Sequence, residues 1–463
     1  MQSKCPDLAF RPARFLAAAL VLAGALVLPP ASAETLRQAV EGVLQRHPDV
    51  HSGRSLLLAA GERIQQARSA FYPNVGLESV AAEARDRDLG VGARDRSTRR
   101  TDVFLRWNLF RGLADRHALR MAEADNLAAG DELADAQEGV ALEMTFAYLE
   151  VLRLRQRMEL AQAYLRDSQR LAEDVAKRAA AGKVSAADLD QARMSVIEAQ
   201  WQLAQLRGQL SGAEARYELL AGHAPDGLEA PDLMRTATLI KREAMMQEVV
   251  AGNPRVRAVL GRAQARAEEA GVAGGAVYPT LSMDLRKRLQ SDIDPLPVSD
   301  TRDNAQLMFN YEVPLGGATY SRRREAVARH AAAQATADSV LLAARTSLGQ
   351  VWSAWDEARR IAPQLAERVE TGGRVVSAYD LQFAAGRRSL QDLIGIRAEY
   401  FRALSEAVDN RYEQQQGAAQ VLSLLGRLRA TVAGEVSSPA PAPQAGAAAV
   451  PPGLARAGAV GSM

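Results

Sequence analysis

A long-range duplication constrains this chain more than any other feature, because whatever one half folds into, the other must repeat. His47-Pro48 is answered by Asn253-Pro254, and Tyr72-Pro73 by Tyr278-Pro279, each 206 positions later. Gly112 is answered by Gly316, and Ala181-Gly182 with Ser185, Asp188 and Leu189 by Ala385-Gly386 with Ser389, Asp392 and Leu393, 204 positions later. Leu219-Leu220 and Gly222 return as Leu424-Leu425 and Gly426. Landmarks held in register over this distance mean two copies of one structural unit, spanning 34–228 and 229–430.

Ahead of the first copy, Lys4, Arg11 and Arg14 precede an apolar run from Phe15 to Leu28, and Ala31-Ser32-Ala33 supplies a small-residue cleavage site. This is the pattern of a secretory signal peptide over 1–33, with a mature chain from Glu34. The run is short for a membrane span, which disfavours an uncleaved anchor. Cys5 is the only cysteine and lies before the apolar run, so the mature chain has neither disulfides nor thiol chemistry, and no lipobox. Lys and Arg number 57 against 55 Asp and Glu, a balance that gives no electrostatic case for nucleic acid. Later segments contain no run of 18 apolar residues. The remaining way across a membrane is a closed β-barrel. The stretch 431–463 is rich in Ala, Pro and Gly and reads as a disordered tail.

Within each copy the pattern predicts a helical start, two strands, a very long helix and a shorter return helix. Glu34 to Phe71 is helical in pattern and stops where Pro73 forces extended backbone. Strands are expected over about 73–110 and 279–314. Val103, Leu105, Trp107 and Leu109 alternate with Asp102, Arg106 and Asn108, and Leu307, Phe309, Tyr311 and Val313 alternate with Gln306, Asn310 and Glu312. Such period-two patterning suits a strand with one face on lipid and one on water, and equally a hairpin on a soluble core. Arg85 to Arg100 and Gln290 to Asp303 read as solvated loops, with lipid phosphate contact by the arginines as the alternative.

Long helices are expected over about 113–181 and 317–385, with return helices over 185–221 and 389–429. At 1.5 Å per residue the first spans roughly 100 Å. Its apolar residues keep a seven-residue period through Val140, Ala147, Leu154, Ala161 and Val175, the signature of a coiled-coil seam. Pro363 and Gly372-Gly373 should kink or loosen the second long helix.

Two copies supply four strands, and four strands cannot close a membrane barrel. Three chains would supply twelve. With coiled coils of matching symmetry, the fold class is mixed α and β dominated by long helices: a 12-stranded barrel over a periplasmic α-helical barrel.

The duplicated His/Asn-Pro and Tyr-Pro pairs, the Gly before the long helix and the Ala-Gly-x-x-Ser-x-x-Asp-Leu hairpin together resemble the TolC family of outer-membrane channels, over roughly Glu34 to Arg429. That resemblance implies a homotrimeric exit duct in outer-membrane lipid, docked through a periplasmic adaptor (membrane fusion) protein to an inner-membrane ABC transporter or proton-driven pump. It implies adaptor docking at the turns Gly182, Lys183, Ser185 and Gly386, Arg387, Ser389. It also implies a periplasmic entrance at Asp188, Asp392, Arg388 and Phe383: Asp392 narrows the pore, and Arg388 and Asp188 help hold it shut. Phe383 stands where a Tyr is expected and Gly395 where a second acid is expected, so the closing lock is altered. Trp107-Asn108-Leu109-Phe110-Arg111-Gly112 is similar to the strand-end motif of members serving type I protein secretion, although Leu113 stands where a second Gly often does. Drug or metal efflux is the alternative, and a soluble periplasmic coiled-coil scaffold a more distant one.

No phosphate loop, nucleophile elbow or cysteine pair is present, so neither an enzyme nor a cofactor is expected. His47 and His51 lie four apart but across Pro48, an arrangement that does not suit a metal.

Overall fold

The computed structural model describes residues 34–88, 92–237, 242–294 and 303–434, so the leader assigned to 1–33 lies outside it. Helices α1 (Leu36–Arg46) and α2 (Pro48–Ser69) precede strands β1 (Asn74–Asp88) and β2 (Gly92–Arg111), then α3 (Ala114–Ala180) and α4 (Ala186–Ala221). Short helices α5 (Met234–Ala237) and α6 (Arg242–Gly252) lead into the second round. This comprises α7 (Pro254–Gly275), β3 (Thr280–Asp294), β4 (Asp303–Asn310), α8 (Ala318–Ala384), α9 (Leu390–Leu424) and α10 (Leu428–Val432).

The opening helix expected from Glu34 to Phe71 is interrupted at His47, whose backbone is extended at φ −65 and ψ 130. His47 caps α2, its Nδ1 accepting from the Asp49 N–H at 3.3 Å ahead of Pro48. Asn253 does the same for α7, its side-chain oxygen accepting from Val256 N–H at 3.0 Å. The duplicated His/Asn-Pro pair is therefore a helix start, with proline where its missing N–H is harmless.

The four strands form one antiparallel sheet in the order β1-β2-β3-β4. Register sorts its side chains. Val75 faces Leu105, Leu77 faces Val103, Trp107 faces Met283, Met283 faces Leu307, and Leu281 faces Phe309. Glu78 faces Asp102, Asp102 faces Arg288, and Arg106 faces Asp284 on the opposite side. Three expectations need correction. The segments read as loops carry strand as far as Asp88 and again from Gly92, and β3 continues to Asp294. Strand β4 stops at Asn310, so Tyr311 and Val313 lie beyond it, just before Pro314, which has no N–H to offer a ladder. A register shift between Asn108 and Phe110 takes Leu109 out of strict alternation.

Helices α3 and α8 have 67 residues each, or about 100 Å by their rise per residue. The heptad row of α3 is buried from Val140 through Ala147, Leu154, Ala161 and Val175, with Ser168 filling the remaining step. The positions expected to kink or loosen α8, Pro363 and Gly372-Gly373, lie within one continuous helix from Ala318 to Ala384. Gly372 has a packing reason: a β-carbon there would stand 3.0 Å from the Tyr400 ring of α9. Helix α9 ends at Leu424, and Gly426, at φ 67, turns the chain into α10. Thr431 and Val432, expected to open a disordered tail, belong instead to α10, which anchors on fully buried Leu428; the rest of that expected tail, 435–463, lies outside the described residues.

The large core lies midway along the helices, where Tyr148, Tyr217, Trp355, Leu422 and Leu425 are buried together. Tyr148 joins the starts of both copies there, its hydroxyl lying 2.7 Å from the Glu34 carbonyl and 2.6 Å from that of Glu229. A smaller core of Leu171, Val175, Ala192, Phe383, Leu390 and Leu393 closes the far end.

Candidate functional site at the two helix turns

Both long helices end in the same turn. Gly182 at φ 69 sends its N–H to Ala179 O at 2.9 Å, and Lys183 N–H reaches Arg178 O at 2.9 Å. Gly386 at φ 71 and Arg387 repeat this on Phe383 O and Gln382 O, at 3.0 and 2.9 Å. This is the Schellman arrangement, in which only a residue free to take positive φ satisfies the last carbonyls at little strain. Ser185 then caps α4 and Ser389 caps α9, each accepting from an N–H three residues on, at 3.1 Å.

The two aspartates differ. Asp188 closes a capping box, its carboxylate accepting from Ser185 N–H at 3.0 Å and from the Ser185 hydroxyl at 2.8 Å. Asp392 makes no such return bond; its exposed carboxylate stands 3.9 Å from Arg388. Arg388 also donates to Gln382 at 3.2 Å and lies 4.0 Å over the Tyr379 ring. Asp188 and Arg388 line one cleft of about 700 Å³ with Lys183, Phe383, Gly386 and Ser389, whereas Gly182, Ser185, Arg387 and Asp392 are not among its lining residues. Among the described residues, Arg388 forms its ion pair within its own copy and not with Asp188.

One contact that crosses between copies at the turns has no signal in the sequence. Arg178 packs 4.8 Å over the buried Phe383 ring, donates to the Phe383 carbonyl at 3.4 Å and is held by Asp174 at 3.1 Å. Arg178 falls where the second copy has Gln382, so the duplication masked it rather than marking it. Phe383 offers a ring face for this cation–π contact.

The outer membrane efflux protein family model matches twice, over residues 39–223 and 245–427. The chain belongs to that family. Its two matches coincide with the two structural copies. It is 22% identical over 421 residues to the outer membrane efflux protein BepC of Brucella suis, covering 90% of each chain. It is 24% identical over 407 residues to protein CyaE of Bordetella pertussis, covering 86% of each. The crystal structure of the CmeC outer membrane channel of Campylobacter jejuni shares the fold at TM-score 0.74 and 13% identity, over 85% of this chain and 86% of that one. As an outer membrane efflux protein the chain resides in the outer membrane and extends into the periplasm.

Proposed function

We propose that three copies form the exit duct of a tripartite export system. One observation carries this: a single chain contributes one open four-stranded sheet, apolar on one face and charged on the other, whose outer strands β1 and β4 have no partner among the described residues. In lipid such edges would leave backbone groups unsatisfied at several kcal/mol each. Twelve strands from three chains remove the edges, with apolar faces to lipid and charged faces to the lumen. Val103, Leu105, Trp107, Leu307 and Phe309 then meet lipid, and the paired long helices continue the duct through the periplasm.

At the far end, the turns at Gly182 and Gly386 with Lys183, Ser185, Arg387 and Ser389 receive a periplasmic adaptor, and Asp392 narrows the entrance. The finer reading is type I protein secretion with an ABC transporter, supported by the strand-end motif Trp107 to Gly112. Efflux of drugs or metals is the second reading, favoured by the name of the Brucella relative. Mass determination of the detergent-extracted protein tests the architecture: a trimer is expected, and a monomer would end the proposal. Deleting the gene separates the branches, since secretion removes a protein from the culture medium whereas efflux raises drug or metal sensitivity.

A further inference from the structure

The charged face of the sheet is not evenly charged at its surface. Arg100, Asp102 and Arg106 on β2 share it with Glu78 on β1 and with Asp284, Arg286 and Arg288 on β3, as their register requires. The Asp102 carboxylate is wholly buried beneath three arginines: Arg100 at 3.0 Å, Arg288 at 3.3 Å and Arg286 at 3.4 Å. Asp284, 12% exposed, lies 3.3 Å from Arg106 and 3.9 Å from Arg286. Arg286 also reaches Glu78 at 3.1 Å. The guanidinium side chains are more open than Asp102 and Asp284: Arg106 is 53% exposed and Arg100 36%, with Arg286 and Arg288 at 28% and 22%. Asp102 and Asp284 thus act as footings that hold the arginines, and the solvent meets guanidinium together with the Glu78 carboxylate. Glu78, 43% exposed, is the acid of this set most open to solvent.

We propose that this face is an anion-binding belt inside the barrel, taking carboxylate or phosphate groups of a solute on its way out. The assignment rests on the trimeric-duct reading, which turns this face to the lumen and repeats it three times around the axis. The planar guanidinium fork suits both anion types, and footing by a buried acid fixes each fork before the anion arrives. Seven named groups give four positive charges against three negative. With Asp102 and Asp284 covered, the groups that an incoming anion can touch directly are chiefly guanidinium. Strand cross-linking alone would explain the ion pairs but not why Asp102 and Asp284 are both more deeply covered than any of the four arginines.

The test uses the full-length protein in planar bilayers, with inorganic tripolyphosphate and then citrate as probes. Both should reduce single-channel current, tripolyphosphate at the lower concentration. Arg106→Gln should weaken the block about tenfold, the loss expected for one charge-assisted contact. Arg106→Lys should retain most of it. Block by tripolyphosphate alone would still support the belt and assign it to phosphate. A conducting channel that neither probe blocks, or block unchanged in Arg106→Gln, overturns the proposal. Absence of any channel, with a monomer in detergent, instead defeats the trimeric reading beneath it. Should Arg106→Gln fail to assemble, Arg100→Gln decides in the same recordings: weakened tripolyphosphate block supports the belt and unchanged block refutes it.

Discussion

At the scale of single residues, Leu113 stands out as the one described non-glycine residue with positive φ, at 65. Its counterpart Gly317 takes φ 70 without a side chain to strain. Leucine in the left-handed region costs about 1 kcal/mol, so Leu113→Gly should stabilise the protein by that order, read as a raised Tm. Glu138 is another exception to residue norms. It is buried with one carboxylate oxygen unpartnered, and this desolvation lifts its pKa to about 7 despite the Arg429 backbone N–H. A raised acid favours the folded state while protonated, so stability should fall as pH rises from 4.5 to about 7 and level off above. The full effect is about 3 kcal/mol, and Glu138→Gln should abolish that part of the slope in denaturation curves taken across the range. The entrance acids predict a contrast. Asp188→Ala removes a capping box and should lower stability by about 1 kcal/mol. Asp392→Ala should chiefly raise single-channel conductance and weaken block by multivalent cations; unchanged bilayer recordings would reject its role.

At the scale of elements, close approach decides what propensity does not. Helix α8 carries Pro363 and Gly372-Gly373 yet stays continuous, with Gly372 packed close against Tyr400 of α9. Gly417 on α9 lies against Trp355 on α8, where an added β-carbon would come within 2.7 Å of the indole. Gly417→Ala should therefore lower the thermal midpoint, by the 1–3 kcal/mol typical of overpacking, although alanine is the better helix former. The strands show the limit of composition as a guide. Dense Arg and Asp between 85 and 100 look like loop, but a ladder of backbone bonds carries the strands on. Backbone pairing depends on the neighbouring strand, which composition does not report.

At the scale of the whole molecule, the two copies are tied along their length, with ion pairs such as Arg262 to Glu132 and Arg153 to Asp409 between the main joints. The sheet joins them through β2 and β3, Tyr148 joins Glu34 to Glu229 at the middle, and Arg178 joins the turns at the end. Tyr148→Phe removes the only hydrogen that hydroxyl can share between two carbonyls. It should destabilise the protein by about 1–3 kcal/mol without altering the turns, checked by Tm alongside conductance.

The order of elements, their duplication, the heptad seam and both glycine turns were legible in the sequence alone. Each rests on local backbone chemistry or on a periodicity that a single helix or strand imposes. Contacts between stretches distant in sequence were not legible. Arg178 on Phe383 and the carboxylates buried beneath Arg100, Arg106, Arg286 and Arg288 depend on cross-strand register and helix approach. Those are set by the packing of the whole chain, and a period within one element does not encode them.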